Sequence, residues 1–169
     1  MPYSTNQKIA IFAALLTAAV AVWATLYTNS PDIVHSVIEH PDSIQDTYYP
    51  ADFYFEISNH GVKTGSYEVT LTSNNNSMDF SSESKGDFKR ELDYSFALPP
   101  NDMDPCFLYV KENESHVKEN ITITLSIVDR CGIIHDIDQY TYYYDFDSES
   151  HRYVFRDVEF NFKRGPSLI

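Results

Sequence analysis

From Ile9 to Tyr27 the chain carries no charge, no glycine and no proline; Lys8 is the last charged residue before the run and Asp32 the first after it. At about 1.5 Å of rise per residue, a helix over this run is about 28 Å long, close to the hydrocarbon thickness of a bilayer. The apolar core of a cleaved secretory signal is usually shorter, about 7–15 residues. The run therefore reads as a retained transmembrane helix.

Turned by about 100° per residue, the helix sorts its side chains by size. Ala10, Ala13, Ala14, Thr17, Ala18, Ala21, Ala24 and Thr25 share one arc, and the opposite arc carries Ile11, Phe12, Leu15, Leu16, Val20, Val22, Trp23, Leu26 and Tyr27, with Ala19 the only small residue among them. In lipid no hydrophobic force draws helices together, so close backbone approach across Ala and Thr is the usual basis of association. The small arc is the expected docking face toward an integral membrane partner.

Of the 12 Lys and Arg, only Lys8 precedes the run, whereas all 25 Asp and Glu follow it, for a net charge of −13. So acidic a surface repels phosphate backbones and excludes nucleic acid as a partner. The short head with one Lys and the acidic far flank place the N-terminus in the cytoplasm and the C-terminal domain outside, at the plasma membrane, with Trp23 and Tyr27 at the outer interface. The expected organisation is a cytoplasmic head over 1–8, the transmembrane helix over 9–27, an extended stalk over 28–50 and one extracytoplasmic domain over 51–169.

Two further cues accord with that location. Cys106 and Cys131 are the only cysteines. As an even pair in an extracytoplasmic setting they are expected to form a disulfide contributing about 3 kcal/mol. Asn75, Asn113 and Asn120 open Asn-x-Ser/Thr tripeptides and are candidate glycosylation sites.

The stretch 28–50 is polar and punctuated by Pro31, Pro41 and Pro50, which predicts a spacer with at most a short helical turn near Val34–His40. Beyond it the hydrophobic period changes to two, the mark of half-buried strands. Phe53, Phe55 and Ile57 alternate with polar residues, as do Tyr67, Val69 and Leu71, then Leu92, Tyr94, Phe96 and Leu98, then Ile121, Ile123, Leu125 and Ile127. A short edge strand is expected near Met78–Ser82, another strand over Cys106–Lys111, and two long ones over Ile133–Phe146 and His151–Phe162. The alternation of the last breaks near Arg156-Asp157, where a β-bulge would restore register. Seven or eight such strands predict an all-β ectodomain, an antiparallel immunoglobulin-like two-sheet sandwich behind one N-terminal transmembrane α-helix.

The run Phe53-Tyr54-Phe55-Glu56-Ile57-Ser58-Asn59-His60-Gly61, with Tyr67-Glu68-Val69-Thr70-Leu71 and Leu92-Asp93-Tyr94-Ser95-Phe96-Ala97-Leu98, resembles immunoglobulin-like sandwich modules of the CARDB type in prokaryotic surface proteins. The resemblance covers about forty residues. It implies an adhesion or scaffolding fold with no catalytic residues.

Nothing in the chain spells out catalysis. No Gly-x-Ser-x-Gly elbow is present, and the five glycines are too scattered to cradle a phosphate. Asp102-x-Asp104, Asp136-x-Asp138 and Asp145-x-Asp147-x-Glu149 supply the hard oxygen donors calcium prefers, without a full calcium-loop pattern; calcium is the one candidate cofactor. Tyr140, Tyr142 and Tyr144 sit in a Tyr-rich strand and are a candidate surface for a protein ligand. The expected function is a non-catalytic, single-pass accessory subunit of a larger membrane complex. Alternatives are a pilin-like filament subunit, whose processing signal Lys8-Ile9 does not supply, or a stand-alone surface adhesion module.

Overall fold

The computed structural model describes residues 5–28, 30–45, 50–74, 78–113, 118–131 and 134–166. Helix α1 covers Thr5–Thr28. Alanine and leucine, both strong helix formers, dominate it. Over Gln7–Thr25 the mean hydropathy is 1.9 and none of the stretch is buried, so α1 is long and apolar enough to cross a membrane. The Thr17 hydroxyl donates to the Ala13 carbonyl at 2.9 Å and the Thr25 hydroxyl to the Ala21 carbonyl at 2.8 Å. These bonds back to the preceding turn let threonine sit on an apolar helix.

The strands that follow are β1 (Ile33–His35), β2 (Ser43–Gln45), β3 (Ala51–Asn59), β4 (Gly65–Ser73), β5 (Met78–Ser81), β6 (Glu91–Leu98), β7 (Met103–Glu112), β8 (Ile121–Asp129), β9 (Ile134–Asp147) and β10 (Arg152–Pro166). They form a four-stranded sheet in the order β1-β3-β7-β5 and a six-stranded sheet in the order β2-β10-β9-β8-β4-β6. All paired neighbours are antiparallel. Between β3 and β8 every connection changes sheet, and only β8, β9 and β10 follow one another as neighbours.

Period-two patterning puts one face of each sheet into a shared core. Phe53, Phe55 and Ile57 of β3 and Leu108 and Val110 of β7 meet Val69 and Leu71 of β4 and Ile123 and Leu125 of β8, all fully buried. Phe53 meets Tyr142 edge to face across the sheets, with ring centroids 4.9 Å apart. At about 1.5–3 kcal/mol for each fully buried large side chain, this alternation is what drives the two layers together. The expected break in β10 is present as a register shift between Phe155 and Asp157.

Four expectations change. Of the stalk expected over 28–50, the described stretch 30–45 is not free: β1 pairs with β3, β2 pairs with the start of β10, and Glu39 bridges to Tyr54. Ile38 and Ile44 enter the core; two isoleucines separated by Pro41 give no readable period. Nor is Val34–His40 a helical turn, since β1 occupies its start.

Cys106 and Cys131 are not bridged. Cys106 is buried on β7, whereas Cys131 follows β8 in the other sheet, with its sulfur accepting the Ser66 N–H at 3.2 Å and donating toward the Ser66 carbonyl at 3.5 Å. Each sulfur has its own partners, Ser66 for Cys131 and Tyr94, Tyr67 and the Asp104 carbonyl for Cys106, and the argument for an oxidising compartment falls with the bridge.

Tyr140, Tyr142 and Tyr144 are not a partner surface. Tyr142 and Tyr144 are buried, and Tyr140 packs against the same core, because β9 turns these even positions inward opposite the core residues Leu125, Ile123 and Ile121 of β8. Outward-facing Tyr143 instead donates to Glu159 at 2.9 Å.

Candidate functional site

The turn after β3 and the segment leaving α1 meet at one end of the domain. Asn59, the last residue of β3, is 1 % exposed. Its side-chain oxygen accepts the Gly61 N–H at 2.9 Å and the Asp32 N–H at 3.2 Å, and its amide nitrogen donates to the Lys63 carbonyl at 2.7 Å and the Leu98 carbonyl at 2.8 Å. All four bonding positions of one buried amide are satisfied, the condition under which burying it is tolerable. The His60 N–H adds a bond to the Asp32 carbonyl at 2.8 Å.

Gly61 is what allows this approach. A Cβ there would lie 2.5 Å from the Asp32 nitrogen and 2.6 Å from both Pro31 Cα and the Ser30 carbonyl oxygen, all backbone atoms that cannot step aside. The Asn59-His60-Gly61 run therefore has a local role: Asn59 ties the turn together, and Gly61 leaves room for the chain arriving from α1, which ends at Thr28.

Beside this clamp lies a cleft of about 540 Å³ lined by Ser30, Asp32, His60, Gly61, Val62, Asp129, Cys131, Asp136 and Arg164, among others. It shares Asp129 and Asp136 with a smaller depression of about 220 Å³ whose other walls include Ile33, Val34, His35, Ile127, Asp138 and Phe162. The register of β8 on β9 sets Asp129 directly opposite Asp136. Two like charges so placed repel, and the surroundings separate their behaviour.

Arg164 of β10 takes both oxygens of Asp136, from Nε at 2.6 Å and Nη2 at 2.7 Å, and holds its carboxyl below the usual carboxylate range. Burial raises Asp129, although its carboxylate accepts the Cys131 N–H at 2.7 Å. The Cys131 thiol is pushed up to about 12 by burial, with Asp129 beside it as a further cause, so it is a poor nucleophile near neutral pH. On the other side of the smaller depression His35 Nε2 lies 3.0 Å from the Asp138 carboxylate and Nδ1 lies 2.8 Å from the Ser36 carbonyl oxygen, joining β1 to β9 across the layers.

The acidic pairs singled out for calcium are engaged by protein donors. Asp136 is held by Arg164, Asp138 by His35, Asp104 accepts the Tyr67 hydroxyl, Asp145 faces Arg156, and Asp147 accepts the Glu149 N–H and the Ser150 hydroxyl. Among the described residues no group of three or more His, Cys, Asp or Glu side chains is arranged to hold a metal ion.

The remaining sequence candidates scatter. The small arc of α1, from Ala10 to Thr25, is exposed along its length. Trp23 is exposed at 65 %, while the side chain of Tyr27 lies outside the described part. Asn75 lies outside the described residues, Asn113 is half-buried with its amide 3.5 Å from Asp79, and Asn120 is exposed at the start of β8. The cleft itself was missed from sequence. Asp32, Asp129 and Arg164 are far apart along the chain, and only the meeting of the α1 exit with the β8–β9 end unites them. No protein-family model and no curated protein matches the chain.

Proposed function

We propose that this chain is a non-catalytic accessory subunit of a larger membrane complex, anchored by α1 as a single pass, with its N-terminus in the cytoplasm and its immunoglobulin-like sandwich on the outer side of the plasma membrane. The observation that carries the reading is the uncovered helix. Ile9, Phe12, Leu15 and Trp23 are each more than 60 % exposed, and no part of the span Gln7–Thr25 is buried. Leaving such side chains in water forgoes about 1.5–3 kcal/mol apiece, which lipid restores. The sorting of small residues onto one arc supports close packing against a partner's transmembrane helix.

The clamp at Asn59 and Gly61 refines the reading. Ser30, two residues past the end of α1, already approaches Gly61, which on this reading brings the cleft near the outer headgroups. Asp32 and Asp129, the cleft carboxylates that Arg164 does not hold, disfavour anionic headgroups and suit basic loops of the partner.

The test replaces Ala14, Thr17 and Ala21 together by Leu in the full chain. The variant should stay in the membrane fraction after alkaline carbonate extraction but lose its co-purifying integral membrane partner in mild detergent. Unchanged co-purification overturns the docking face, and release by carbonate overturns the anchor.

A further inference from the structure

Strand β10 is an edge strand for most of its length. On its outer side β2 covers only Arg152 to Val154, and the Phe155 N–H reaches the Asp42 carbonyl at 2.9 Å. From Arg156 onward β9 is the only described strand beside it. Every side chain from Arg156 to Arg164 is exposed.

The exposed apolar residues among them face the core side of the sheet. Val158 pairs with Tyr142 and Phe160 with Tyr140, so they share the face that is buried at Tyr142. The start of the strand is covered, with Tyr153 buried and β2 beyond it carrying buried Ile44, whereas Val158, Phe160 and Phe162 stay 39 %, 56 % and 50 % exposed on the part that β2 does not flank. An open edge with an apolar face is a template for another strand.

The charges of the strand say which strand fits. Asp157 and Glu159 open it, Lys163 and Arg164 close it, and Asn161 stands midway between Glu159 and Lys163. Read antiparallel against itself, such a sequence meets opposite charge. Read parallel, it sets Glu159 on Glu159 and Lys163 on Lys163.

We infer that β10 pairs antiparallel with β10 of a second copy of this chain across a two-fold axis at Asn161. Glu159 then opposes Lys163 of the other copy on the solvent face, with Asp157 diagonal to the same Lys163. On the core face Phe160 opposes Phe162 of the other copy, and Val158 opposes Arg164. Moving the centre to Phe160 would set Asp157 against Lys163 in place of Glu159, but it would also bring Arg156, at the bulge, opposite Arg164, a repulsion that the Asn161-centred register avoids. The Val158 N–H, which donates to Asp157 Oδ1 at 2.8 Å, exchanges that local bond for the added strand. The pairing covers six apolar side chains, three from each copy, and continues the six-stranded sheet through the dimer. Each copy carries −13, but at physiological salt charges more than about 8 Å apart are largely screened, so the local pairs decide.

Cysteine cross-linking of the full chain in detergent micelles tests the register, with the unmodified chain under the same oxidation as baseline. Directly opposed Cα atoms lie about 4.5–5.5 Å apart, within reach of a disulfide. Asn161→Cys alone should give a covalent dimer. Glu159→Cys and Lys163→Cys should each stay monomeric alone and cross-link when mixed. A charge cycle adds a second readout: Glu159→Lys or Lys163→Glu alone should weaken dimerisation about tenfold, and the two together in one chain should restore it to within about threefold. Both experiments are repeated with Ala14, Thr17 and Ala21 replaced by Leu, which separates this interface from contacts through α1. A chain that stays monomeric throughout with Asn161→Cys uncrosslinked, cross-linking of Glu159→Cys to itself, or a double charge swap no better than the singles would each overturn the inference.

Discussion

Strand β8 and the second half of β10 alternate in the same way and end in opposite environments. Ile121, Ile123, Leu125 and Ile127 are at most 4 % exposed, whereas Val158, Phe160 and Phe162 are at least 39 % exposed on the same face of the same sheet. β8 lies between β9 and β4 with its apolar face in the core; β10 enters that core only at its start, through Tyr153 and Phe155. Alternation therefore specifies which face of a strand is apolar, and tertiary packing specifies whether that face is covered.

The largest expected effect breaks this comparison directly. Leu125→Ala removes a fully buried side chain and should cost about 2–5 kcal/mol in chemical denaturation. Phe160→Ala, although it deletes a larger group, should leave the unfolding free energy of the dilute monomer within about 0.5 kcal/mol. Equal losses at the two positions would show that this part of β10 is covered within the monomer.

The next effect contrasts the clamp with the edge. Asn59→Leu keeps the bulk but strands the Gly61 and Asp32 N–H groups and the Lys63 and Leu98 carbonyls, with an expected cost of about 2–4 kcal/mol. Limited proteolysis should then cut first between Ser30 and Asp32, where the chain leaves α1. A variant as resistant as the parent would separate the clamp from the packing of that segment.

The smallest effect sharpens a comparison inside the cleft, between two opposed carboxylates. Asp136 is held low by Arg164, so its stabilisation is present above the ordinary carboxylate value near 3.8 and is lost as pH falls through its depressed value. Asp136→Asn should cost about 0.5 kcal/mol at pH 7, because Arg164 is exposed and Asp136 only half-buried, so water screens the pair, and the cost should shrink as pH falls below the ordinary carboxylate range. Asp129 is raised by burial; its contribution runs the other way, present at low pH and lost as pH rises through the raised value. Asp129→Asn should accordingly increase the unfolding midpoint at pH 7. Shifts of the same sign for both variants would contradict the division of roles.

What was legible in the chain follows from how local its causes are. The β3, β4 and β8 patterns announced both their strands and their buried faces, because a period of two needs only neighbouring residues, and the broken alternation at Arg156-Asp157 announced the bulge for the same reason. The segment 28–50 was illegible because β1 and β2 span only three residues each, too few for a period, and are held by partners distant in sequence. The Tyr-rich strand was legible as a strand but not as to its covered side, since tyrosine fits both water and core. The two cysteines satisfied every compositional condition for a disulfide and failed the spatial one.

The sequence by itself determined an apolar span long enough to cross a membrane, an all-antiparallel β domain after it, and the inward face of most strands; each depends on residues within a few positions of one another. Only the tertiary structure decided that the α1 exit is clamped by Asn59 and Gly61, that Asp32, Asp129, Asp136 and Arg164 share one cleft, and that β10 leaves Val158, Phe160 and Phe162 exposed. Those features depend on which strands become neighbours and which faces the layers cover, and burial pays only for the sum of such contacts, not for any one stretch that contributes to them.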